Sequence, residues 1–131
     1  MNISGSKNAA LPLLAVGLFF DEFTLHNVPK IGDVLTFLSI VESLGVMVTW
    51  EGSTVRYDTR KLSIVHLDRE KIKKIRVGIF LFPALLARFG GLEIPYPGGC
   101  NIGKRPIDEH LRAFRAFGYE NMGEGENIAF Q

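Results

Sequence analysis

At 131 residues, with 47% hydrophobic and 22% charged side chains, the chain is long enough to bury a core without disulfide or metal staples and too apolar for a disordered segment. Fifteen Lys and Arg against fourteen Asp and Glu leave a net charge of +1, which excludes a global basic field for nucleic acid, so any anion site has to be local. The longest apolar runs, residues 9–20 and 79–87, fall short of the roughly 20 residues that a membrane-spanning helix needs.

Residues 9–19 are apolar on most faces and read as a largely buried helix, opened by Gly5-Ser6-Lys7-Asn8, with Pro12 near its first turn, where a missing N–H is tolerated. Asp33 is placed to cap a second helix whose Val34, Phe37, Leu38, Val41 and Leu44 keep the helical period, with Gly45 just past its end. The β-branched and aromatic residues of 46–50 and 54–57, either side of Glu51-Gly52-Ser53, predict a hairpin. Residues 61–67 are ambiguous, with a short strand as one reading. A third helix is expected over 68–89, bent near Pro83 and stopped by Gly90-Gly91. A strand over 92–95 then leads into the loop 96–105. Pro106 starts a fourth helix with Leu111, Phe114 and Phe117 on one face and Gly118 closing it, and 119–131 reads as another hairpin.

Superposing Gly45 on Gly118, 73 residues apart, brings out a repeat. Leu38, Val41 and Leu44 fall on Leu111, Phe114 and Phe117; Glu51-Gly52 falls on Glu124-Gly125; Val55 and Tyr57 fall on Ile128 and Phe130. Two copies of a helix, strand, helix, hairpin unit are implied, neither of which easily buries its sheet alone.

The chemistry concentrates in the loop from Pro97 to Pro106, which gathers three glycines, the lone cysteine Cys100 and the adjacent cations Lys104 and Arg105 before a helix. Both cations and the helix N-terminus favour thiolate over thiol. The plainer alternative is a small buried cysteine in a tight turn. Gly5-Ser6-Lys7-Asn8 delivers a cation and an amide at a helix start whose free N–H groups attract a phosphate or carboxylate; its alternative is a cap beside a solvated lysine. Arg76 borders an apolar stretch, as a snorkelling arginine does. Asp108 and Glu109 suit the dipole of the helix they open, and are also placed to receive a polar ligand group. His26, His66, His110 and Cys100 have no metal-ligand spacing, and neither a Gly-x-Gly-x-x-Gly nor a Walker sequence occurs, so no metal and no cofactor are expected.

Taken together, Ser4-Gly5-Ser6-Lys7-Asn8-Ala9-Ala10-Leu11-Pro12, Leu85-Leu86-Ala87-Arg88-Phe89-Gly90, Pro97-Gly98-Gly99-Cys100 and Arg105-Pro106-Ile107-Asp108 strongly resemble the UDP-N-acetylglucosamine 1-carboxyvinyltransferase family. These are enolpyruvyl transferases of peptidoglycan precursor synthesis. The sister shikimate-pathway enzymes have Ser where this chain has Asn8, and lack the Gly-Gly-Cys loop.

The resemblance implies an α+β fold built from repeated helix/strand units of an inside-out α/β barrel, with about two of six units present. Residues 1–131 would be a partial enolpyruvyl transferase domain, with units near 1–60 and 61–131. The implied reaction moves the enolpyruvyl group of phosphoenolpyruvate to the 3′-hydroxyl of UDP-N-acetylglucosamine and releases phosphate. In it Lys7 and Asn8 contact phosphoenolpyruvate, and Arg76 binds substrate. Cys100 donates a proton and is alkylated by fosfomycin. Arg105 contacts phosphate and the nucleotide sugar, and Pro106, Ile107, Asp108 and Glu109 line the uridine. Glu109 departs from the leucine or glutamine of the pattern. A cytoplasmic location follows, with neither nucleic acid nor membrane as partner. The resemblance further implies a fragment with little activity alone, self-associating through an unprotected sheet edge. The competing expectation is a non-catalytic binding or assembly module built on the same repeat.

Overall fold

The computed structural model describes residues 3–74, 76–95, 107–123 and 127–131. They fall into two compact units, Met1–Lys71 and Ile72–Gln131.

In the first unit, helix α1 (Lys7–Val16) runs into a short 3-10 turn (Gly17–Phe19) and strand β1 (Glu22–Leu25). Helix α2 (Gly32–Ser43) and the hairpin β2 (Met47–Glu51) and β3 (Thr54–Asp58) follow. The sheet is antiparallel in the order β1-β3-β2, with Phe23 and Val48 both opposite Tyr57, and Leu25 and Trp50 both opposite Val55. Val55 and Tyr57 are buried and Arg56 between them is exposed, the two-residue period of a sheet with one wet face. Helix α1 packs on α2, and α2 on β2. The predicted face of α2 (Val34, Phe37, Leu38, Val41 and Leu44) is buried with Leu11, Leu14 and Leu18; each such side chain contributes about 1.5–3 kcal/mol of transfer free energy. Burial also pushes the Tyr57 phenol up, with Glu42 adding to the effect, and its hydroxyl has no hydrogen-bond partner among the described residues.

Three expectations change here. Pro12 lies in the second turn of α1, because the helix begins at Lys7. Ile31, not Asp33, is the residue that precedes α2, and Asp33 sits inside the first turn. Residues 61–67 form no strand. They turn back against the end of α2, where Leu44 O accepts the Ser63 N–H at 2.6 Å, a bond that replaces a sheet ladder.

The expected helix over 68–89 is not continuous but divides into two helices and a 3-10 turn, with the boundary between the units inside the first helix. Helix α3 (Arg69–Lys74) is capped by Asp68, whose carboxylate accepts the Lys71 N–H at 3.1 Å. The 3-10 turn covers Arg76–Phe80, and α4 covers Leu81–Phe89. A continuous helix would have left Ile79 O without the N–H that Pro83 lacks. Restarting at Leu81 puts Pro83 in the first turn, where that N–H has no partner to lose. Gly90 closes α4 at φ +70°, donating to Leu86 O at 2.8 Å.

Strand β4 (Leu92–Pro95) pairs antiparallel with β5 (Asn127–Phe130), and helix α5 is Asp108–Ala116. On the other side of β5, Glu120 and Gln131 exchange N–H···O bonds, and Met122 N–H reaches Ala129 O at 2.7 Å. The return arm of the second hairpin is therefore paired on both sides. Phe117 is not on the buried face of α5: it is 81% exposed, because the helix ends at Ala116 and its angular period ends with it.

The repeat extends to hydrogen-bond register. Shifted by 73 residues, α4 falls on α1 and α5 on α2, while Gly45 and Gly118 share positive φ (+81° and +90°). The pairs Met47–Asp58 and Thr49–Arg56 correspond to Glu120–Gln131 and Met122–Ala129. Among the described residues no helix is long and apolar enough to cross a membrane.

Candidate functional site

Helix α1 opens unusually. Ser6 precedes it without a side-chain cap, its first turn holds no acidic residue, and its first residue is Lys7. A cation at the positive end of a helix dipole costs about 0.3–1 kcal/mol, so the helix itself gains nothing from a lysine there. Pro12 has no N–H to donate to Asn8 O, which adds an acceptor to the same turn. Asn8 follows Lys7 on the exposed surface.

The backbone around this turn is held closely. A Cβ at Gly5 would run into Asn27 O and the Pro29 ring. Asn27 takes the left-handed conformation (φ +58°), and its amide donates to Ile3 O at 3.2 Å. Val28 N–H is anchored on Ser53 O at 2.8 Å. This lacing brings the first turns of α1 and α2 together, and the Lys7 Nζ donates to Asp33 Oδ2 at 2.9 Å, the two side chains being 45% and 50% exposed. Sequence reasoning assigned Asp33 a cap and missed this pairing. The partners lie 26 residues apart, and only the fold joins them.

In the second unit, α5 is preceded by Ile107, which is buried at 3% exposure and whose carbonyl accepts the Leu111 N–H at 3.0 Å. Asp108 and Glu109 follow in the exposed first turn, where carboxylates are favoured, and Glu109 pairs with Arg112 Nη1 at 3.1 Å. Two carboxylates at a helix start repel an anion and accept hydrogen bonds from hydroxyl or N–H donors. At the opposite end of α5, an open cavity of about 370 Å³ is lined by Arg115, Gly118, Glu120 and Asn121.

The structure thus sets Lys7 beside Asn8 in the first unit, and Ile107, Asp108 and Glu109 in sequence in the second. Arg76 opens the 3-10 turn of the second unit, and its side chain lies outside the described residues. Cys100, Arg105 and Pro106 also lie outside them. No three His, Cys, Asp or Glu side chains gather as metal ligands among the described residues.

Comparison with known proteins gives a consistent picture. The profile of the family described as EPSP synthase (3-phosphoshikimate 1-carboxyvinyltransferase) matches residues 1–130. Over 119 residues the chain is 45% identical to the UDP-N-acetylglucosamine 1-carboxyvinyltransferase of Acinetobacter baylyi and 44% identical to that of Psychrobacter arcticus. Each match covers 90% of this chain and 28% of the relative. Among solved structures, the enolpyruvyl transferase NikO from Streptomyces tendae shares the fold with a TM-score of 0.78 at 20% identity, over 98% of this chain and 28% of that one. The chain thus spans a little over a quarter of the length of these relatives.

Proposed function

We propose, from the premise that the chain belongs to the EPSP synthase family of enolpyruvyl transferases, that it supplies the phosphate-binding and proton-donating part of a UDP-N-acetylglucosamine enolpyruvyl transferase. The observation that carries the reading is the first turn of α1, uncapped and without acid, with a lysine set against the helix dipole. A phosphate there would accept free backbone N–H bonds and the Lys7 ammonium together. Asn8, where the sister enzymes have Ser, and the Gly98-Gly99-Cys100 loop favour the nucleotide sugar over shikimate as acceptor.

In this reading Lys7 and Asn8 contact phosphoenolpyruvate and its phosphate, Arg105 contacts phosphate and the nucleotide sugar, and Arg76 binds substrate. The Cys100 thiol gives its proton to the methylene carbon while the sugar 3′-oxygen bonds to the adjacent carbon and passes its own proton to a carboxylate base in the remainder of the fold. The C–O bond to phosphate then breaks as the new methyl group returns a proton, restoring the enol. Lys7 and Arg105 stabilise the charge on the departing phosphate, a contribution of about 3–4 kcal/mol for one well-placed donor. Pro106 and Ile107 line the uridine, and Asp108 and Glu109 accept its N–H and hydroxyl donors. Turnover belongs to this segment in company with the remainder of such a fold, in the cytoplasm.

The test is fosfomycin labelling read by intact-mass spectrometry. Cys100 is expected to take up one adduct, faster with UDP-N-acetylglucosamine present, and Lys7→Met is expected to slow labelling about tenfold, the equivalent of about 1.4 kcal/mol. Labelling at the rate of a free cysteine, indifferent to sugar nucleotide and to Lys7, would favour the binding or assembly module instead.

A further inference from the structure

We infer that Asp33 is a positioning residue for Lys7, holding its ammonium in place when no anion is bound and weakening the site for any anion that grips Lys7 alone. The inference rests on the assignment of Lys7 to a phosphate, and adds to it the residue that sets the strength and selectivity of that contact.

Four observations converge. Lys7 occupies a position its own helix disfavours, so it gains from a counter-charge. Asp33 sits in the first turn of α2, where an acidic side chain is favoured, and its oxygen lies 2.9 Å from the ammonium. Neither end of the pair is carried on a loose loop: Gly5 is pressed against Asn27 O, and the Asn27 amide ties back to Ile3. Both side chains are about half exposed, so an incoming phosphate can reach Lys7 without the fold opening.

A phosphate that binds Lys7 then lies within a few ångströms of a second negative charge. Small free anions meet that repulsion with one cation to offset it. A substrate phosphate that gains further contacts elsewhere on its molecule overcomes it, and Asp33 thereby discriminates in favour of the larger ligand.

The test uses the 131-residue chain, inorganic phosphate as the probe, and the Lys7 side-chain ammonium signal in 1H–15N spectra as the readout. In the wild type the ammonium signal should be retained by its hydrogen bond to Asp33, and phosphate should shift it only weakly. Asp33→Asn should broaden the signal and tighten phosphate binding at Lys7 about three- to tenfold, the size expected for removing one nearby charge at the surface. Asp33→Glu, which keeps the charge, should restore the wild-type constant, and an unchanged backbone spectrum separates these effects from unfolding. Phosphate binding at Lys7 with the same constant in wild type and Asp33→Asn overturns the inference while leaving the phosphate reading standing. Phosphate that leaves the Lys7 signal unmoved in both proteins overturns the phosphate reading itself, and the selectivity with it.

Discussion

Phe82→Ala is expected to destabilise the second unit by about 3–5 kcal/mol, enough to remove most of the margin of a domain this size. Phe82 in α4 is fully buried, and its ring lies 6.1 Å from Phe114 of α5 and 6.2 Å from Phe130 of β5, which are themselves 5.1 Å apart. The trio joins a helix from each half of the unit to its sheet, so truncation removes packing and two aromatic contacts at once. At the position of Phe130 the first unit carries Tyr57, and at that of Phe114 it carries Val41. The second unit thus concentrates its cohesion in fewer, larger side chains. Urea unfolding should show the loss, and hydrogen exchange should find it first at the β4–β5 amides. The control is Phe89→Ala on the same helix, 39% exposed, for which a cost below about 1 kcal/mol is expected.

The two helix-ending glycines should respond very differently to alanine, although the repeat equates them. Gly45 and Gly118 both have positive φ, so a side chain costs about 1–2 kcal/mol of backbone strain at either. At Gly118 none of the described residues lies within 4 Å of the added carbon, whereas at Gly45 it would sit 2.6 Å from Lys61 O. That oxygen is backbone, in the segment bonded to Leu44 through Ser63, and it cannot swing away. Gly45→Ala should therefore cost about 3–4 kcal/mol, strain and overpacking together, against about 1 kcal/mol for Gly118→Ala. Thermal unfolding of the two variants measures the gap directly; equal costs would mean that residues 61–63 yield.

That contrast also marks what the sequence could convey. Helix α2, the β2–β3 hairpin and all the positive-φ helix ends were legible because each depends on local periodicity or on a glycine next to its own element. The 73-residue repeat was legible because apolar residues recur at matching positions in both copies: Val41 and Phe114, Val55 and Ile128, and Tyr57 and Phe130 are buried in both, although Phe117 is exposed where Leu44 is buried. The path of 61–67 was not, since its backbone is satisfied by the end of α2 and not by a strand partner. The break before α4 was not, because a proline reads equally as a bend or as a first turn until the helix start is known. At the candidate site, sequence placed Lys7 and Asn8 at a helix start and Asp108 and Glu109 at another. It could not show Asp33 on Lys7, because that pair depends on the packing of Gly5 against Asn27.

The proposed function rests above all on Lys7 as this segment's contribution to the phosphate site of a UDP-N-acetylglucosamine enolpyruvyl transferase. Its most direct test grafts the segment into the Acinetobacter baylyi relative in place of the 119 residues it matches at 45% identity, and follows phosphate release. Release is expected to require both phosphoenolpyruvate and UDP-N-acetylglucosamine and to fall at least about a hundredfold in Lys7→Met, the loss of one transition-state donor. A folded chimera that releases no phosphate, or that releases it equally fast with methionine at position 7, would contradict the proposed function.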